Sequence, residues 1–356
     1  MSRFHLLAPA NAPVTKSFCL DGFAQATFRF AQILRALGHE TILYGSDLTT
    51  APCSEFVKLL DYHERQALTH SVAYQSVPID PNHSLWKVSN ARAIEAIKKR
   101  KQPRDFLLTI SGLAHKPVFD AHPDLMGVEY SIGYEGNFAP FRVFESHAWK
   151  HYCYGAQGIT SGRFFDAVIP LFFDVSDFPS QTAVRPRNYL LFVGRLTDTK
   201  GLDIAVQVAK TCKVPLRVVG HGKNFVPPTG VEFFEAADCV TRNELMRDAI
   251  AVIAPTLYVE PFNAVAVEAQ LCGTPVISTD WGGFTETIDH GVTGFRCHYL
   301  GDFLEAVNKC ADGVHLSRAY IQARARKLYG MGTAAKSYSE YFQRLELLWE
   351  RGWETK

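Results

Sequence analysis

AIAVIAPTLYVEPFNAVAVEAQLCGTPVIS, residues Ala249 to Ser278, is the stretch on which the fold turns. AIAVIAP is a short apolar run closed by a proline, which suits a buried strand, and TPVIS reads as a second strand. AVAVEAQLCG between them reads as a helix closed by Gly273. Strand, helix and strand in succession form the unit from which parallel sheets are built, because parallel neighbours need a crossover.

The same alternation extends upstream. From Asn188 the chain reads NYLLFVG strand, GLDIAVQVAKTC helix, PLRVVG strand, VEFF strand and TRNELMRDA helix, a doubly wound α/β domain. The first half is less regular. Arg3 to Ala8 reads as a strand, about Asp21 to Leu37 as a helix stopped by Gly38, and ETILYG as the next strand. ARAIEAIKKRKQPR reads as a helix, DFLLTIS and LMGVEYSI as strands. An aromatic-rich stretch runs from Tyr130 to Tyr154, and YEGNFAPFRVFESHAWKHYCYG, from Tyr134 to Gly155, reads either as a sugar platform or as a helix packing Phe141, Phe144 and Trp149 on the sheet. Proline-rich AVIPLFFDVSDFPSQTAVRPR reads as a hinge. The expected domains are 1–180 and 181–332, followed by an amphipathic closing helix within 333–356 that carries Tyr338, Tyr341, Leu345 and Leu348.

Composition narrows the function classes. The 356 residues, 47% of them hydrophobic, suffice for two cores. With 37 basic and 36 acidic residues the formal charge is +1, so no global field attracts nucleic acid and an anionic ligand must be held locally. Eight scattered cysteines without a C-x-x-C pair read as reduced thiols. Neither a signal peptide nor a membrane-length apolar run is evident, so a cytoplasmic protein is expected. Lys98 to Lys101 with Arg104 form a basic helix end, read as a solvated terminus or as a peripheral membrane contact.

Two glutamates in the opening stretch raise the chemical question. Ala264, Val265, Leu271 and Cys272 surround Glu268 at helical spacing, so its carboxylate leaves from the face expected to pack on the sheet. A carboxylate there needs a cation or hydrogen-bond donors, and the hydroxyls of a ribose would serve. Glu260 lies in the loop at the carboxyl end of a strand, where open α/β sheets bind ligands. Phe262, Asn263 and Ala264 are expected to start the helix and offer amides to a phosphate. The structural alternative is a buried Glu268 paired with an arginine and a Glu260 facing water. FVGRLTDTKGLD places Gly194 at a strand end, then Arg195 and Lys200 in a turn suited to a diphosphate, or else a solvated loop. TDWGGFTETI adds Gly282 and Gly283, for close backbone approach, and Glu286, read as a helix-capping acid.

These residues resemble the retaining, nucleotide-sugar-dependent glycosyltransferases of the GT-B fold, family 4 (glycosyl transferases group 1). EPFNAVAVEAQLCGTPVISTDWGGFTE is similar to the family's double-glutamate motif, FVGRLTDTKGLD to its phosphate loop, VVGHG to its next glycine-rich strand end, and AVIPLFFDVSDF to its inter-domain segment. Gly22 matches the second glycine of the family's Gly-Gly loop. The resemblance implies two Rossmann-like domains facing a central cleft, with a C-terminal helix crossing back to the first. It implies that Arg195 and Lys200 bind the donor diphosphate, Glu268 the ribose, and Glu260 the donor sugar. The amides of Phe262 and Asn263 would lie near phosphate or sugar. No metal or other cofactor is expected.

The donor is expected to be a UDP-sugar first and a GDP-sugar second, and the acceptor a sugar, glycan or lipid-linked molecule. Three positions depart from the pattern: Asp21 and Asn263 stand where glycines are usual, and Leu171 where an asparagine is. Asp21 reads best as a helix N-cap. The family's N-domain histidine has no clean counterpart, which leaves Tyr134, Glu135, His115 and His147 as candidates. Rival readings are a sugar-nucleotide epimerase, a phosphorylase, or a non-catalytic nucleotide-sugar-binding protein. A dinucleotide oxidoreductase is disfavoured because no G-x-G-x-x-G follows the first strand of either half.

Overall fold

The structure is a computed structural model that describes residues 2–18, 21–179, 187–221, 226–235, 237–313 and 316–350. It divides into two compact units. Unit 1 holds Met1–Glu145, Cys153–Phe172 and Met331–Lys356; unit 2 holds Ser146–Tyr152 and Phe173–Gly330. The change of unit at Phe172/Phe173 precedes the sequence-based boundary at 180/181. Residues 180–186 of the hinge, and Arg351 at the end of the closing helix, lie outside the described residues.

In unit 1 the strands are β1 (Arg3–Leu7), β2 (Glu40–Ser46), β3 (Glu55–Leu60), β4 (Phe106–Thr109), β5 (Met126–Ile132), β6 (Phe141–Phe144) and β7 (Ala167–Val168). They form a parallel sheet in the order β3-β2-β1-β4-β5-β6-β7. The helices of this half are α1 (Gly22–Ala36), α2 (Tyr62–Thr69), α3 (Ser84–Lys98) and α4 (Lys116–Ala121); α5 (His147–Ala156) begins in unit 2, up to Tyr152, and ends in unit 1.

Apolar layers cover both faces, which explains why β4 and β5 are buried at every position instead of alternating. One layer gathers Phe4, Leu6, Phe30 and Ile33 with Tyr338, Phe342 and Leu345 of the chain's last helix. Phe342 stands 4.8 Å from Phe4, and Tyr338 stands 4.7 Å from Phe30, ring centre to ring centre. The other layer is built on Tyr44, Trp86, Ile97 and Leu107.

In unit 2 the strands are β8 (Leu190–Arg195), β9 (Leu216–His221), β10 (Val231–Glu235), β11 (Ala251–Ala254), β12 (Val276–Thr279) and β13 (Gly294–Cys297). Again the sheet is parallel, in the order β10-β9-β8-β11-β12-β13. Its helices are α6 (Leu202–Cys212), α7 (Cys239–Asp248), α8 (Ala264–Leu271), α9 (Phe284–Thr287), α10 (Leu300–Ala311) and α11 (Arg318–Tyr329). Helix α12 (Met331–Glu350) closes the chain. Both sheets reverse their winding once, between β1 and β4 in unit 1 and between β8 and β11 in unit 2. In a doubly wound sheet the carboxyl ends of the strands at such a reversal are where ligands bind.

Two of the differences from the sequence reading have a clear physical reason. Phe141 and Phe144 belong to strand β6, not to a helix, and only Trp149 lies in helix α5. FRVF is a four-residue run buried at every position, too short for its periodicity to separate strand from helix. Strand β3 was not expected because its first four residues are exposed or half-buried and lack an apolar run. The basic end of α3 is largely neutralised by Arg100–Glu55 and Lys101–Asp124 pairs of 2.7 and 2.6 Å. No helix among the described residues is long and apolar enough to cross a membrane.

Candidate active site

The loops leaving β8 and β11 meet in unit 2, because these strands are neighbours at the reversal. Leu257 N donates to Thr199 O at 2.8 Å, and Lys200 Nζ donates to Glu260 Oε2 at 2.8 Å. Tyr258 OH donates to the other carboxylate oxygen at 3.0 Å, and Lys200 Nζ stands 4.9 Å from the Tyr258 ring. The side chains of Lys200 and Glu260 are only 15% and 9% exposed. Glu260 is therefore not the water-facing acid of the structural alternative. A pair so enclosed holds together when the remaining lone pairs are also satisfied, as Tyr258 does here. Burial, followed by the charge of Glu260, raises the Tyr258 phenol above its ordinary pKa and keeps it a donor.

Glycines let these loops approach. Gly201 has φ +71 and precedes α6; a Cβ there would lie 2.1 Å from the Pro255 carbonyl oxygen. Gly282, at φ +61, would put a Cβ 2.6 Å from the Glu260 amide nitrogen, and its neighbour Gly283 would put one 2.6 Å from Phe262 Cα. The close approach these two permit is thus to the Glu260–Phe262 backbone.

Asn263 is the N-cap of α8 and has φ +65 and ψ +81, a left-handed conformation that only glycine, asparagine and aspartate adopt cheaply. Its Oδ1 accepts from Ala266 N at 2.9 Å. Asparagine therefore replaces the expected glycine without changing the backbone, and adds a cap. The helix begins at Ala264, and one first-turn amide is already taken by the Asn263 side chain. Phe262 contributes to the core: its side chain is buried edge-on to Tyr329 at 5.8 Å. Asn263→Ala is expected to lower stability by about 2 kcal/mol, through lost cap and left-handed strain, and Asn263→Gly by only about 0.5 kcal/mol. Urea denaturation of the two variants checks this; equal costs would remove the conformational explanation.

Glu268 is 8% exposed, on the inner side of α8. Its Oε1 accepts from Arg242 Nη2 of α7 at 3.0 Å, whereas its Oε2 is enclosed without a hydrogen-bond partner among the described residues. The arginine pairing foreseen as the structural alternative is present, and it uses one of the two oxygens. The other retains the capacity to accept a hydroxyl hydrogen. Gly194 and Arg195 end β8, with Arg195 exposed. Glu286 is a helix-capping acid, but for a distant helix: its carboxylate accepts from the amides of His147 and Ala148 at 2.9 and 2.7 Å, at the start of α5. His147 itself is exposed, its ring 6.3 Å from that of His151.

The unit 1 candidates separate by burial. Gly22 opens α1 with open space around it, and Asp21 caps that helix through Ala24 N at 2.7 Å. Burial raises the Asp21 carboxyl above its ordinary range. His115 is a packed residue: it is 2% exposed, bonded through Nδ1 to Thr109 Oγ1 at 2.7 Å, and edge-on to Trp86. Burial pushes its imidazole down to about 3, so it is neutral at physiological pH. Tyr134 donates from its hydroxyl to Glu129 at 3.2 Å, and Glu135 is exposed beside it. Glu129, which the sequence did not single out, is buried and also accepts from the amides of Phe138 and Ala139 at 2.7 Å each. Burial pushes its carboxyl up to about 7. Tyr258 and Arg242 were likewise missed. Tyr258 stood two residues before Glu260, a detectable signal; Arg242 offered none.

Residues 187–312 match the family model described as Glycosyl transferases group 1. The two parallel α/β sheets give the chain the GT-B fold of solved glycosyltransferases. A glycosyltransferase involved in avilamycin A biosynthesis aligns over 97% of this chain and 98% of its own, with TM-score 0.72 and 19% identity. Anabaena HepE in complex with UDP-glucose aligns over 97% and 100%, with TM-score 0.67 and 16% identity. Among curated relatives, the D-inositol 3-phosphate glycosyltransferase of Paenarthrobacter aurescens is 32% identical over 157 residues, which is 38% of each chain. The matched part is thus well under half the length of such relatives.

Proposed function

We propose that this chain is a retaining, metal-independent hexosyltransferase whose unit 2 holds a nucleotide-diphospho-sugar and whose unit 1 takes a sugar, glycan or lipid-linked acceptor. The observation that carries the reading is the meeting of Lys200, Glu260 and Tyr258 at the strand reversal of unit 2, in the segment that matches the family model. Lys200 and Arg195 stabilise charge growing on the departing diphosphate, together with the start of α8. Glu268 takes a ribose hydroxyl on Oε2, held in place by Arg242. Glu260 reads hydroxyls of the donor sugar once the diphosphate engages Lys200. A donor oxygen takes the acceptor proton as the new bond forms on the same face, so no enzyme nucleophile is required. Uridine is the first choice of base, supported by the UDP-glucose complex of the Anabaena neighbour, and guanosine the second. A cytoplasmic location fits a soluble donor of this kind.

A thermal-shift screen of UDP- and GDP-sugars tests the reading. A donor at a hundred times its Kd should raise the midpoint by roughly 5 °C, since it binds only the folded state. Glu268→Gln should lose most of that shift. A parent protein indifferent to every nucleotide sugar, or a Glu268→Gln variant that responds as the parent does, would sink the proposal.

A further inference from the structure

Arg65 of α2 is a buried cation without a counterion. It is 2% exposed, and its Nε and Nη1 are enclosed with no hydrogen-bond partner among the described residues. Its guanidinium stacks on the Tyr74 ring, the central carbon 3.8 Å from the ring centre. Stacking satisfies the face of a guanidinium and leaves the in-plane N–H groups of Nε and Nη1 unanswered. An arginine kept dry in this way is unfavourable unless something supplies acceptors, and carboxylate or phosphate oxygens match its fixed donors best.

Its place in the fold shows where such a group would come from. Helix α2 follows β3 directly, so Arg65, one turn along, lies toward the carboxyl ends of the unit 1 strands. The Tyr74 carbonyl accepts from Asn11 Nδ2 at 3.3 Å, tying this corner to the loop after β1. β1 and β4 flank the reversal of the sheet, the crevice position in a doubly wound fold. Just beyond β4, Ser111 is 2% exposed, and its Oγ also has no hydrogen-bond partner among the described residues. A buried cation and a buried hydroxyl with unused hydrogen-bonding capacity therefore stand at the same end of one sheet.

We infer that unit 1 binds an oxyanion, a phosphate or carboxylate carried by the acceptor, with Arg65 as its cationic partner. The inference rests on the reading that unit 1 takes the acceptor, and it narrows the acceptor to a negatively charged one. It also implies that Arg65 is kept for binding at the expense of stability.

The test is calorimetric titration of the full chain with inorganic phosphate, with acetate and, separately, with UDP, at ionic strength held constant by chloride. It is run on the parent, Arg65→Met, Arg65→Lys and Lys200→Ala. Arg65→Met should weaken binding of the preferred oxyanion roughly ten-fold or more, leave UDP binding within about two-fold, and raise the melting midpoint. Arg65→Lys should recover part of the affinity. Tighter binding of phosphate than acetate identifies a phosphorylated acceptor, and the reverse order a carboxylated one. The inference falls if the parent binds neither oxyanion, if the binding survives Arg65→Met and is lost in Lys200→Ala, or if Arg65→Met lowers the midpoint with anion affinity unchanged. Arg65-dependent oxyanion binding with no response to UDP would sustain it while sinking the donor reading.

Discussion

Lys200→Ala should cut kcat/KM for sugar transfer by roughly 10²- to 10³-fold, the usual cost of removing one preorganised stabiliser of transition-state charge. Two effects act in the same direction. On the proposed reading the substitution removes the cation that would face the departing diphosphate, and it leaves the Glu260 carboxylate enclosed, with Tyr258 as its remaining side-chain partner, to repel that diphosphate. The second effect is separable. In the double variant with Glu260→Gln, binding of UDP alone should recover relative to Lys200→Ala, whereas transfer should not. Steady-state kinetics and UDP titration measure the two arms. A Lys200→Ala enzyme within about threefold of the parent in kcat/KM would show that this lysine does not touch the reacting phosphates.

Gly201→Ala should be among the most damaging single methyl additions in unit 2, lowering stability by about 4 kcal/mol or preventing folding. The residue has φ +71, and the added Cβ would lie 2.1 Å from a backbone oxygen, which no side-chain rotation relieves. Gly38 provides the control. Its φ is +75, yet nothing lies within 4 Å of its Cβ position, so Gly38→Ala carries strain without overlap and should cost only about 1–2 kcal/mol. Urea midpoints for the two variants decide the matter: similar losses would mean that the loops after β8 and β11 separate easily, contrary to the close approach described above.

Local signals made much of this molecule legible. The crossover from Ala249 to Ser278 was readable because Pro255, Gly273 and the apolar runs punctuate it. Lys200 and Glu260 stood out because polar groups after apolar strands have few structural reasons to be there. Their ion pair was not readable, since it joins positions 60 apart and depends on β8 and β11 being neighbours, which is a property of strand order. Glu286 was recognised as a cap, but the helix it serves lies 139 positions upstream, beyond any local rule. His115 shows the opposite limit: its burial follows from Trp86 and Thr109 closing around it, and neither neighbour marks it in the sequence. Arg65 carried no signal because a lone arginine on a short helix reads as surface until its enclosure is seen.

The closing helix has a consequence for biosynthesis. Tyr338, Phe342 and Leu345 fill the same layer as Phe4 and Phe30, so the residues around Phe4 and Phe30 wait for the helix around Tyr338. The segment from Phe173 to Gly330 has no such wait, and its two ends lie side by side, with Phe173 N bonded to Tyr329 O at 2.8 Å. A nascent chain should therefore mature inside out, the interrupted half remaining open and dependent on chaperones until helix α12 has been made.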